Sequence, residues 1–153
     1  MATTNTSLKS YVQQLEDQLD LYLGKKAPQL PESWRAAIVK IAPWITLILL
    51  ILAAPALLAL LGLGIALSPA AFMGGANAGF SYVVTILATV VVLVLEAMAI
   101  PGLMKREKRG WNLLYYSTLV SAVQNLLTLN IGSLIIGTLL SLYILFQIRS
   151  YYK

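Results

Sequence analysis

Between Lys40 and Lys105, the stretch Ile41 to Leu95 reads IAPWITLILLILAAPALLALLGLGIALSPAAFMGGANAGFSYVVTILATVVVLVL, without one Asp, Glu, Lys or Arg. A spanning helix takes roughly 20 apolar residues, so this run is long enough for two. The breaker-rich cluster Ser68-Pro69-Ala70-Ala71-Phe72-Met73-Gly74-Gly75-Ala76-Asn77 divides it. The expected spans are therefore residues 44–67 and 78–104, with Pro55 interrupting the first and Pro101-Gly102 lying near the end of the second.

Beyond the basic cluster Lys105-Arg106-Glu107-Lys108-Arg109, a second uncharged stretch runs from Gly110 to Ile148. Leu127-Thr128-Leu129-Asn130-Ile131-Gly132-Ser133 is its natural turn, because Asn and Gly supply the backbone conformations that stop a helix. Two shorter spans follow, residues 111–127 and 133–148, with a re-entrant hairpin as the alternative. The chain thus reads as an all-α integral membrane protein: a four-helix transmembrane bundle of two hairpins over residues 41–153, preceded by a cytoplasmic or interfacial region over residues 1–40.

Composition agrees with that reading and removes much chemistry. The 153 residues are 59% hydrophobic and only 11% charged, with no Cys and no His. Disulfides, zinc-thiolate sites, His-ligated haem and His-dependent triads are excluded. One buried carboxylate with no His or Cys does not assemble a nucleophile-base pair, and no phosphate-binding loop is present, so no enzyme is expected.

Orientation comes from the charges. All eleven Lys and Arg lie in the N-terminal segment, the middle loop or the C-terminus, and none in the other two turns. An even number of spans places those three segments on one side, and the positive-inside rule makes it the cytoplasm of a bacterial inner or similar membrane. Trp44, Trp111, Tyr151 and Tyr152 are expected at that interface as amphipathic rings. Lys105, Arg106, Lys108 and Arg109 are candidates for contact with anionic lipid; nucleic acid is not expected as a partner. The first apolar run has no short basic leader or small-residue cleavage pattern, so the first span is expected to serve as an uncleaved insertion signal.

Residues 7–23 place Leu8, Tyr11, Val12, Leu15, Leu19, Tyr22 and Leu23 at helical spacing, the mark of an amphipathic helix, with Ser7 as its cap and Gly24 as its stop. Residues 25–31 read as an extended linker, and Pro31-Glu32 opens a shorter helix toward Pro43. The polar face is acidic where membrane-surface helices are usually basic. Two destinations compete for it: the headgroups or the chain's own cytoplasmic ends, and a partner or second copy.

Within the spans, Glu96 stands out. Eight residues before Met104, at about 1.5 Å rise per residue, it sits roughly 12 Å inside the cytoplasmic end of its helix, too deep for so short a side chain to reach water. A carboxyl group there is either protonated or paired, and no Lys or Arg of the spans can meet it. An intramembrane acid is a functional candidate by default. The third span offers a polar face of Tyr116, Ser117, Ser121, Gln124, Asn125 and Thr128, which must meet protein or water. The fourth carries Ser133, Gly137 and Ser141 at intervals of four, a ridge that admits close helix packing.

The expected function is a non-catalytic membrane scaffold, assembly or accessory subunit, joined to itself or to other membrane proteins through its helices. The alternative is a small oligomeric transporter or channel with Glu96 as its proton- or cation-coupling group. Four short spans and one embedded Glu are similar to the architecture of small multidrug-resistance transporters. Here, though, the Glu lies in the second span, so the likeness carries over no residue. No cofactor is expected beyond bound lipid, with pigment or quinone left open; the expected partners are the bilayer and either a second copy or a larger membrane complex.

Overall fold

The computed structural model describes the backbone of residues 3–153 and, within it, all side chains except those of residues 3–7, 65 and 68. Every regular element among them is helical: α1 (Thr3–Leu19), α2 (Glu32–Met73), α3 (Ala76–Met104), α4 (Lys108–Leu127) and α5 (Thr138–Ile148). π-helical turns extend α1 through Asp20–Lys26 and precede α5 at Ser133–Gly137. Three stretches are long and apolar enough to cross a membrane, Glu32–Gly64, Ala76–Met104 and Ser133–Tyr151. The expected third span, α4, is not among them, because Asn112, Ser117, Ser121, Gln124 and Asn125 dilute its apolar content.

The first hairpin turns at Gly74-Gly75, where Gly75 takes a φ of +103° that a side chain would oppose. Pro69 does not end α2, and neither Pro43 nor residue 40 interrupts it: one helix runs from Glu32 to Met73 with three prolines inside. The short surface helix expected after Pro31 is simply its first turns. Tyr82 on α3 donates its hydroxyl to the Gly64 carbonyl at 2.8 Å, tying the two arms.

The second hairpin turns where expected but by other means. The left-handed residue is Leu129, at φ +54°, while Gly132 is helical. Asn130 contributes through its side chain, whose Oδ1 accepts the Ser133 N–H at 3.3 Å.

The basic segments meet at one end of the helices. Lys108 N–H donates to the Lys153 carbonyl at 2.8 Å, and Lys153 N–H donates to the Arg106 carbonyl at 3.1 Å. The N-terminal segment joins them. Arg149 pairs with Glu16 at 2.5 Å and with Asp20 at 3.1 Å, and Lys108 approaches Glu16 at 3.9 Å. The acidic face of α1 is thus matched by cations of its own chain. Ser7 lies inside α1, which begins at Thr3, and the helical path continues past Gly24 to Lys26. The side chain of Ser7, and hence its expected capping bond, falls outside the described part.

The linker after α1 is extended and fastened to the last helix. Gln147, 2% exposed, accepts the Leu30 N–H at 3.1 Å and donates to the Leu23 carbonyl at 2.8 Å, while Tyr143 donates to the Pro28 carbonyl at 2.5 Å.

The buried core is concentrated at this same end: Val39, Ala99, Leu103, Trp111, Tyr115, Leu142, Leu145, Phe146, Ile148 and Tyr152, with Val12, Leu19 and Leu23 of the N-terminal segment against it. Trp111 stacks on Tyr115 at 5.5 Å and meets Phe146 edge-on at 5.3 Å. Trp111 and Tyr152, expected as interfacial rings, are instead buried, because the N-terminal segment and the Arg149 and Lys108 side chains cover this end. Trp44 is exposed. Farther along the helices the packing opens, and α2 leaves Leu52 and Leu58 about two-thirds exposed, at 68% and 71%. Such a surface is compatible with a membrane location.

Candidate functional site

Glu96 lies one turn beyond Ala99, at the edge of the dry core. There the helices separate and leave a partly open cavity of about 250 Å³. From α4, Ser117, Thr118, Ser121 and Asn125 line it; from the last helix, Ser133, Gly137, Thr138 and Ser141; from α3, Glu96 alone. Ser117 and Asn125 are eight residues apart, so the polar lining extends roughly 12 Å along α4. Its far limit, Asn125 and Ser133, adjoins the turn that carries no charge.

A larger, mainly apolar groove of about 850 Å³ lies on the other side of Glu96. One wall is the α2 face of Ile38, Ile41, Ile45 and Leu49; the other is Leu114, Ile144 and Leu145. Glu96, Ser117, Thr118 and Ser141 line both spaces and form the junction.

Hydrogen bonding sharpens the picture. Ser117 and Thr118 both donate their hydroxyls to the Leu114 carbonyl, at 2.8 and 3.0 Å, so each presents oxygen lone pairs rather than a proton to the cavity. Among the described residues, the Glu96 carboxyl has neither a hydrogen-bond donor nor a cation beside it. The site therefore offers oxygen acceptors around a carboxyl group with no internal counter-charge. That donor set suits a proton or a monovalent or organic cation. No group of three or more His, Cys, Asp or Glu is placed to hold a metal ion among the described residues.

The residues singled out from the sequence divide among places. Glu96, Ser117, Ser121, Asn125, Ser133, Gly137 and Ser141 come together in the polar cavity. Tyr116 does not; it faces Leu8, Val12 and Glu16 of α1 in a separate cleft. Gln124 lines an apolar hollow with Val84, Leu87 and Val91 of α3, and the Thr128 hydroxyl is spent on the Gln124 carbonyl at 2.9 Å. The helix reading of that polar face grouped positions that span too wide an arc. Gly137 meets nothing within 4 Å of where a Cβ would lie, so at its centre the small-residue ridge borders open space rather than a packed neighbour. Of the basic loop, Lys108 faces the α1 acids and a polar pocket at the basic end, while Lys105 and Arg109 remain outside both. Arg106 takes a left-handed turn conformation, φ +56°, and its carbonyl receives Lys153. Thr118 and Thr138 were missed from the sequence, although each stands one position after a residue that was picked.

Comparison with protein-family models, with curated proteins and with solved structures finds no match.

Proposed function

We propose that this chain is a non-catalytic, four-span membrane protein that handles protons or cations at Glu96. Both termini lie on the cytoplasmic side, and α4 crosses the bilayer shielded by α3 and α5. The observation that carries the reading is the unpartnered Glu96 carboxyl at the junction of a polar cavity and an apolar groove. A carboxyl group without a counter-charge in an apolar setting stays neutral or recruits a cation, and exchange between those two states is the elementary step of coupling. The oxygen-lined path from Asn125 to Glu96 gives access from the uncharged end. The dry core of Trp111, Tyr115 and Phe146 closes the basic end.

Purified protein in proteoliposomes tests this. With a pH gradient imposed, Glu96→Gln is expected to abolish gradient-dependent cation or proton flux while the protein still assembles. Flux equal to that of the unaltered chain would sink the reading.

A second reading, an accessory or scaffold subunit, is favoured by α2, whose apolar side chains are uncovered around most of its length. Purification in a mild detergent distinguishes it: a co-migrating partner supports an accessory subunit, and a chain that travels only with itself counts against one.

A further inference from the structure

A second polar pocket, of about 430 Å³, opens at the basic end, separated from Glu96 by the dry core. Lys25, Arg35, Lys108 and Arg149 line it, with Asp20 as the one carboxylate. Arg149 is held by Glu16 and Asp20, and Lys25 lies 3.6 Å from Asp20. Arg35 has no carboxylate partner among the described residues, and its buried Nε donates to nothing. Tyr152, 4% exposed, also lines the pocket, and its buried hydroxyl has no partner either.

Two buried donors without acceptors stand beside four cations matched by two carboxylates, Asp20 and Glu16, and the remaining excess of positive charge favours an anion. Leaving each donor unsatisfied in the folded chain is costly, and a group with several acceptor oxygens would remove both deficits if the two side chains turned toward it on binding. The pocket is far larger than a monatomic anion needs. Guanidinium favours oxyanions that can take parallel hydrogen bonds. Burial also holds the Tyr152 hydroxyl above its ordinary titration range, against the opposing pull of Arg106, so it remains a donor at neutral pH.

We propose that the pocket bounded by Arg35, Tyr152, Lys25, Lys108 and Arg149 binds a phosphate group, carried by an anionic lipid headgroup or present as free phosphate. The site rests on the fold alone and stands whether or not Glu96 moves cations.

Equilibrium titration of the full chain, delipidated in a neutral detergent, tests it with two probes: phosphatidylglycerol in mixed micelles, and inorganic phosphate. Saturable binding is expected, weakened roughly tenfold to a hundredfold by Arg35→Gln and roughly fivefold to tenfold by Tyr152→Phe. Tyr152→Phe removes no internal hydrogen bond, so it keeps the test sound if Arg35→Gln fails to fold. Arg109→Gln, outside the pocket, serves as control and is expected to bind as the unaltered chain does. Binding of phosphatidylglycerol alone identifies a lipid headgroup as the source, and competition by inorganic phosphate at similar concentration identifies the free anion. Binding of neither probe overturns the proposal. So does binding that Tyr152→Phe leaves unchanged, or that Arg109→Gln weakens as much as the pocket variants do.

Discussion

Gly102 and Gly110 touch backbone to backbone: a Cβ added to Gly102 would lie 2.7 Å from the Gly110 nitrogen. Here the end of α3 crosses the start of α4, and neither residue has room for a side chain. Overpacked sites of this kind cost about 1–3 kcal/mol. Gly110→Ala is expected to lower the unfolding midpoint in detergent, whereas Gly62→Ala, which meets nothing within 4 Å, should be harmless. Equal effects at both positions would contradict the crossing.

Leu129 holds a left-handed backbone conformation, φ +54°, that costs a side-chain-bearing residue about 1–2 kcal/mol. Its side chain is 77% exposed, so little packing is lost on removing it. Leu129→Gly should therefore leave stability unchanged or raise it by up to about 1 kcal/mol, net of the glycine's extra chain entropy. Thermal unfolding followed by circular dichroism measures this; a clear loss would mean that Leu129 packs against something other than solvent.

Gln147 satisfies two backbone groups of the N-terminal segment at once. Gln147→Leu keeps the bulk but strands the Leu30 N–H and the Leu23 carbonyl, at a cost of about 1–3 kcal/mol each if they remain buried. The segment should detach locally instead, and limited trypsin digestion should cut after Lys25 and Lys26 much faster than in the unaltered chain.

Tyr152 supplies a pH dependence whose sign is fixed. Burial raises its folded-state pKa above the ordinary value of 10.0, and Arg106 only partly offsets this. Its contribution to stability is fully present below the unfolded pKa and is lost as pH rises through the folded one. The difference in stability between the unaltered chain and Tyr152→Phe should be flat from pH 7 to 9 and shift against the unaltered chain above about pH 10. Denaturant titrations at several alkaline pH values read it directly.

What could be seen in the sequence followed local rules. The uncharged run, Gly74-Gly75 and the Asn130 turn marked the helix limits, and the distribution of Lys and Arg foretold that three distant segments share one end. Glu96, Ser117, Ser121 and Asn125 of one cavity are marked by polarity within an apolar run, and Ser133, Gly137 and Ser141 by the small-residue spacing of the last helix. The misses are tertiary. Nothing in the spacing of α4 says that Ser121 faces Glu96 while Gln124 faces Val91, since the choice depends on how α3 and α5 flank it. The same holds for the Gly102–Gly110 crossing, for Gln147 and for Trp111, whose ring suits an interface until a neighbouring segment covers it. Arg35 and Tyr152 are brought together by contacts between segments more than a hundred residues apart.

The clasp at the basic end also sets an order of events. Glu16 and Leu23 are synthesised early, yet their partners Arg149 and Gln147 come 133 and 124 residues later. The N-terminal helix must therefore wait, undocked and with Val12, Leu19 and Leu23 uncovered, until the last helix has been made and turned back. A ribosome paused anywhere before residue 147 carries a chain whose first helix is free to engage whatever lies nearby.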